Sequence, residues 1–535
     1  MQNTSILQRT LSFIKEGNLL ETFLAILPLG VSILMLVVLQ RGGKQAGIAT
    51  LISSIIPTLI FPFFHLSAEQ LFIALGKGVS ASLLVFYLLL PSLLLYHLLQ
   101  ATGGMRVLGW GIARLVPDRD IQVLLLVMGL APFAESVTGF GVGTILIIPI
   151  FVALDFSLTQ SAILGMLGQM AIPWGGLGIG TILGAQLTNL DPSILAAHTA
   201  LLTAPLPSVY GLVALAVAGG KKSCQHQWSA AIAVGAILSV SLYVFSLSLG
   251  VELAGIIASV IAICILLACG YVEVRKNRQK GVLSTSSNRP KKTISFQSNV
   301  NSTDQKIGTV KLSLWQVLAP YIFLTALLLV SRLILPIKIW LQSHFVLSIP
   351  AINLNLALLY NPGFTIFVTV FAAVKILGVG RSQFRVGVMS AWRQFLPGGV
   401  AIACFLMASQ VMQTSGMMTT IGTAAATLGH NYKWVAPWLA ALGGWVTGSS
   451  TSSNALFSQL QLAISTRSGL PLDWLMSAQN GASAHATIIA PARMILAATT
   501  VGLYKGEALL LRLMAPLALA AVAITMLLLA LATNY

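Results

Sequence analysis

Glu135 closes an apolar run, LLLVMGLAPFAE, and is followed within six residues by Thr138, Gly139 and Gly141. An acid in such a run is costly to hold and usually functional. Removal from water favours the protonated form of a carboxyl, so Glu135 is a candidate proton carrier. A second polar island, Thr447 to Asn454 (TGSSTSSN), places six hydroxyl side chains and an amide in apolar surroundings. Ser449, Ser450, Thr451, Ser452, Ser453 and Asn454 suit a site that handles a small hydrophilic solute. Arg493 is the one basic residue inside an expected span. It can offset Glu135, bind a substrate carboxylate bidentately, do each in turn, or snorkel to an interface. His485 either titrates or packs as a hydrogen-bonded ring. Asp155, Asp191 and Asp473 fall at span ends and read as interface residues.

Other chemistries find no support. The run Gly176-Leu-Gly-Ile-Gly180 lacks the strand and spacing of a dinucleotide site. There is no metal-ligand cluster, phosphate-binding loop or nucleophile–base pair, so neither cofactor nor metal is expected, and an ATP-driven pump or an enzyme is disfavoured. Cys224, Cys264, Cys269 and Cys404 have no disulfide or metal spacing and read as small packing residues.

These side chains need elements that can hold polar groups at membrane depth. Of the 535 residues, 56% are hydrophobic and 8% charged, against about a quarter charged in soluble domains; mean hydropathy is +0.89. The composition predicts an all-α polytopic membrane protein. About twelve apolar runs reach the roughly 20 residues needed to cross a bilayer, the first being a retained span, not a cleaved signal. Two more stretches, 121–154 and 434–466, are each interrupted by one of the polar islands, and read as re-entrant hairpins. With twelve crossings, 22 of the 30 Lys and Arg fall on one side, which the positive-inside rule makes cytoplasmic. The net charge of +17 is thus a matter of topology, and no nucleic-acid partner is expected.

The islands are related. At an offset of 313, AESVTGFG (134–141) aligns with TGSSTSSN, Thr138 with Thr451, Gly168 with Gly481, and Gln100-Ala-Thr-Gly-Gly-Met105 with Gln413-Thr-Ser-Gly-Met-Met418. The organisation predicted is an N-terminal segment 1–19, a first repeat 20–218, two connecting helices within 219–272, a basic cytoplasmic linker 273–313, and a second repeat 314–533. An odd number of crossings per repeat inverts the second copy, as in many secondary transporters whose sites lie between the copies. Helix starts at the breaks carry roughly half a positive charge and can hold a carboxylate. Gly139, Gly141 and Gly143 suit such a break, and similar composition recurs at Pro173–Gly180 and Asn480–His485 with Pro491.

Glu135 with Gly139-Phe-Gly141, the segment TGSSTSSNALF (447–457), Ile489-Ala-Pro491 and Val501-Gly-Leu503 together resemble the L-lactate permease family, in order over most of 20–533. The resemblance implies proton-coupled transport of lactate, glycolate and similar 2-hydroxy monocarboxylates across a bacterial inner membrane. The chain departs from the family pattern at Ser136-Val-Thr138, where members carry Gly-Ala-Ala. It also has Thr487 in place of a lysine, and Lys505-Gly506 in reversed order. A sodium-coupled carboxylate carrier or ion antiporter remains the alternative, since hydroxyl-rich tips also coordinate sodium. A homo-oligomer is compatible with the sequence.

Overall fold

Long apolar runs punctuated by glycine and proline produce helices almost throughout. The computed structural model describes residues 19–279 and 312–534, apart from 40, 114, 140, 353, 502, 504 and 505. The N-terminal segment up to residue 18, residues 280–311 of the basic linker and Lys505 lie outside the described residues. Among those described, eight helices are long and apolar enough to cross a membrane, or nine if one bent pair is a single span. The protein is a multi-pass membrane protein.

Several of the twelve expected runs take another form. The runs at 196–218 and 228–249 are joined by one helix, Leu206–Leu249, whose backbone leaves helical angles at Gly220 and Gln227. The run at 157–188 is the bent pair: Leu158–Leu167 and Ile172–Thr188 meet at 61°. The run at 473–502 breaks into Leu472–Ala486, a 3-10 turn Thr487–Ile489, and Pro491–Thr500. The beginning of the run at 351–374 is an antiparallel ribbon, Val346–Ile349 paired with Leu354–Ala357. Pro362 then opens a shorter helix, Pro362–Ile376, as suits a residue whose missing N–H costs nothing in the first turn.

The first hairpin descends through Arg119–Leu124, a π-helical stretch Leu125–Leu130 and Ala131–Thr138, turns at 139–141, and returns as Val142–Ala153. Asp118 caps its start by accepting from the Ile121 N–H at 2.9 Å. Its first arm, Arg119–Thr138, is itself one of the eight helices long and apolar enough to cross a membrane, where the sequence predicts a re-entrant stretch. Of its most apolar window 94% is buried, against 28% for the first span, Leu19–Leu36, so the arm faces protein and not lipid. A methyl group on Gly143 would lie 2.5 Å from the Ala131 carbonyl oxygen, and one on Gly168 would lie 2.5 Å from Ala131 Cβ. Only hydrogen fits between these backbones. The second hairpin comprises Ala436–Thr447 and Ser450–Ser468.

Two helices of 34 residues, Ala68–Ala101 and Arg381–Thr414, start and stop at the 313 offset. So do the short helices that follow them, Gly104–Ala113 and Met417–Ala426. The long pair packs together, with Gly78 against Met407 and Gly387 against Leu98. Contacts that advance on one helix while retreating on the other mean that the two run antiparallel.

Candidate functional site

Thr138 ends the descending arm of the first hairpin, its hydroxyl donating to the Ala134 carbonyl at 2.6 Å. The chain then turns through Gly139 (φ 71°) and Gly141 (φ 79°), positive angles that glycine adopts without a Cβ penalty. The turn points the first N–H groups of the returning arm back at Glu135. Its Oε1 accepts from the Gly141 N–H at 3.0 Å and its Oε2 from the Gly143 N–H at 3.3 Å. The carboxyl is 1% exposed. Glu135 thus occupies the anion-binding helix start of its own hairpin.

Arg493 reaches this tip from the second broken span. Its Nη1 lies 3.9 Å from Glu135 Oε1 and donates to Gln169 Oε1 at 3.1 Å. Its Nε donates to the Gly448 carbonyl at 3.4 Å, at the turn of the second hairpin. A Cβ on Gly141 would come within 2.3 Å of Arg493 Nη1, so the glycine at 141 makes room for the guanidinium. One cation therefore touches both tips and the break of the first broken span. Planar, multi-donor arginine is the side chain suited to that geometry.

The second tip is built from neutral groups. Thr447 Oγ1 has the Gly443 and Ser449 carbonyls within reach of its one proton, at 2.7 and 2.9 Å, and Gly448 takes a left-handed φ of 66°. Ser449 caps the returning helix by accepting from the Ser452 N–H at 3.2 Å. Gly180 faces the hydroxyls of Thr451 and Ser450, which a Cβ there would meet at 3.1 and 3.4 Å. The stretch Gly176, Leu177, Gly178 has left-handed angles at all three residues, and this interruption opens the helix toward both hairpins.

Deeper in, Asn454 Nδ2 donates to the Gly180 carbonyl at 2.9 Å and to Asn480 Oδ1 at 3.0 Å. Asn480 passes the link to Thr181 and Thr199 at 2.8 and 3.2 Å. Ser453 accepts from Gln479, which accepts from Gln461, which accepts from Tyr432. Asn454 and Ser453 therefore tie the hairpin to its neighbours, whereas Ser450 and Thr451 face the break. Asn454 Oδ1 is buried and has no partner among the described residues. His485 joins neither tip by a hydrogen bond: its Nδ1 meets the Tyr210 hydroxyl at 2.9 Å, and its buried Nε2 has no partner among the described residues.

Sequence reasoning did not single out Gln169, Thr144, Thr181 or Gln479. The available signal was a lone amide in the break LGQMAIPWG. Nothing in the sequence indicated that Gln169 meets an arginine 324 residues away.

Residues 21–534 match the family model described as L-lactate permease. The chain is 26% identical to the L-lactate permease of Streptococcus iniae, over 85% of this chain and 93% of that protein. It is 24% identical to the glycolate permease GlcA of Escherichia coli, over 94% of each. Against the L-lactate permease of Bacillus subtilis it is 24% identical over 93% of each. Among solved structures it is similar to the YdaH transporter of Alcanivorax borkumensis, with a TM-score of 0.38, 13% identity, and coverage of 90% of this chain and 86% of that one.

Proposed function

The chain belongs to the L-lactate permease family, and on that premise we propose that it carries lactate, glycolate and similar small 2-hydroxy monocarboxylates by proton symport. It is a permease and not an enzyme. The observation that carries the mechanism is Arg493, held between the two tips with Glu135 at 3.9 Å. While Glu135 is ionised, it occupies the Gly141 and Gly143 N–H groups and attracts the guanidinium. A proton on Glu135 removes the competing negative charge, and the substrate carboxylate takes its place on Arg493 and the helix start. Ser450 and Thr451, beside Gly180, then receive the substrate hydroxyl. Release of substrate lets Glu135 return to its N–H groups and give up the proton. Binding of either partner thus favours binding of the other. With one guanidinium at the tips, a second carboxylate on the substrate would be buried unpaired, which disfavours dicarboxylates.

The transport reading rests on the family, and with it we infer an inverted duplication with twelve crossings. It is supported by the antiparallel packing of the two 34-residue helices at the 313 offset. The basic linker then lies in the cytoplasm, by the positive-inside rule, and the membrane is the bacterial inner membrane. Sodium coupling is the second reading. The buried, unpartnered Asn454 Oδ1 among hydroxyls favours it, since oxygens of this kind coordinate sodium.

Counterflow and gradient-driven uptake in proteoliposomes, with lactate, glycolate, pyruvate and a dicarboxylate, test both. Symport predicts accumulation driven by a pH gradient, and Glu135→Gln should abolish that accumulation while exchange survives. Uptake that ignores pH and requires sodium would overturn the proton reading.

A further inference from the structure

Gln169 sits in the break of the first broken span and is 1% exposed. The direction of its amide follows from its neighbours. Arginine has donors only, so the oxygen must face Arg493, as it does at 3.1 Å. The amide nitrogen donates to Thr144 Oγ1. Thr144 has already committed its hydroxyl proton to the Gly165 carbonyl at 3.1 Å, so it presents a lone pair to Gln169. Each link enforces the next, from a helix carbonyl through a hydroxyl and an amide to the guanidinium. At the far end, Nη1 stands 3.9 Å from Glu135, beyond the 2.7–2.9 Å of a close charge-assisted bond.

Few other charges face the carboxyl. Val142–Ala153, Ile172–Trp174 and Gly175–Thr188 contain no ionisable side chain. Helix Val251–Gln279 begins with Glu252, which pairs with Arg332 at 3.0 Å. Helix Ala68–Ala101 carries Glu69, Lys77, Tyr87, Tyr96 and His97; His97 bonds Gln394 at 2.7 Å. Tyr321 meets Phe133 edge-on, two residues before Glu135. Among the described residues, Arg493 is the cation that pairs with Glu135.

We propose that Gln169 is a positioning residue that holds the Arg493 guanidinium away from Glu135, setting the pH at which Glu135 takes its proton. This rests on the proton-symport reading above. A direct Arg–Glu contact would stabilise the carboxylate and demand a more acidic medium for loading. The amide takes one guanidinium donor for itself and keeps the cation within reach of an incoming carboxylate.

The test is the pH dependence of uptake in proteoliposomes for the full-length protein and three variants. Gln169→Ala frees Nη1 to close on Glu135, and the midpoint for uptake should move about one pH unit to the acid side, roughly tenfold in proton concentration. Gln169→Glu places a competing carboxylate on Arg493 and beside Glu135, so its midpoint should move to the alkaline side, with a higher KM. Thr144→Val loosens the amide without removing it and should give a smaller acid shift. Opposite shifts from Ala and Glu support the assignment, because a merely structural role would lower activity in both without moving the midpoint in opposite directions. If the wild-type midpoint is retained in every variant that transports, or if none transports although folded, the positioning role is wrong. If wild-type uptake itself is independent of pH, the underlying proton reading fails instead.

Discussion

The two hairpin tips solve the same problem, an interrupted helix inside apolar surroundings, by different chemistry. At the first, two backbone N–H groups are satisfied by a buried carboxylate from the preceding arm. At the second, Thr447 and Ser449 satisfy the turn from within. The first solution places a carboxyl at the tip, within reach of a cation. The second yields a tip whose character does not change with pH. Arg493 spans the difference, with Nη1 at the charged tip and Nε on the Gly448 carbonyl of the neutral one. Two interrupted stretches of similar outline thus differ in that one of them holds the charge.

The largest break in this comparison is Arg493→Ala. It removes the cation shared by both tips and leaves Glu135 without its counter-charge, so uptake and exchange should both fall at least a hundredfold in proteoliposomes. Losing one partner of a buried pair destabilises by roughly 3–5 kcal/mol, so Arg493→Lys, which keeps the charge but not the fork, should separate lost binding from lost folding. Next is Gly141→Ala. The added methyl would meet Nη1 at 2.3 Å at a positive-φ position, and KM for substrate should rise about tenfold, scaled from the roughly 1.4 kcal/mol that a factor of ten represents. At the neutral tip, Ser449→Ala removes a helix cap worth about 1 kcal/mol. It should lower the thermal midpoint slightly and leave the pH profile of uptake unchanged. A shift in that profile would contradict the assignment of all proton sensitivity to the first tip.

The smallest effect concerns His226, on the connector between Gly220 and Gln227. Its hydrogen bond to Asp120 raises its pKa above the ordinary 6.5, with Asp118 and Glu273 adding to the effect. The protonated ring is thus favoured by the folded state. Its stabilisation is fully present below about 6.5 and is lost as pH rises through the higher folded value. The ring is half-exposed, so His226→Ala should change the thermal midpoint only slightly at pH 6 and not at all at pH 9.

Much of this arrangement is readable from residue order. Apolar runs gave the helices, polar islands gave both tips, and the offset of 313 reappears in the bounds of the two 34-residue helices. Glu135 and Arg493 stand out because charge is rare in such runs. What escaped depends on distance through space. The ribbon at Val346–Ala357 is as apolar as a span, and period alone cannot tell short strands from a helix in such a stretch. Gln169 is an ordinary amide until Arg493 and Thr144 are placed on either side of it. Ser453 is identical in kind to Ser450, and only packing separates the residue that ties helices together from the one that faces the break.

Ala131 is wedged between Gly143 and Gly168 with no room for a methyl group on either side. The two arms of the first hairpin and the broken span behind it therefore meet at Ala131 with backbone almost on backbone. Glu135 lies one helical turn beyond that contact and is bonded to the N–H groups of the returning arm, so the place of its carboxyl is set by where two backbones meet and not by a freely swinging side chain.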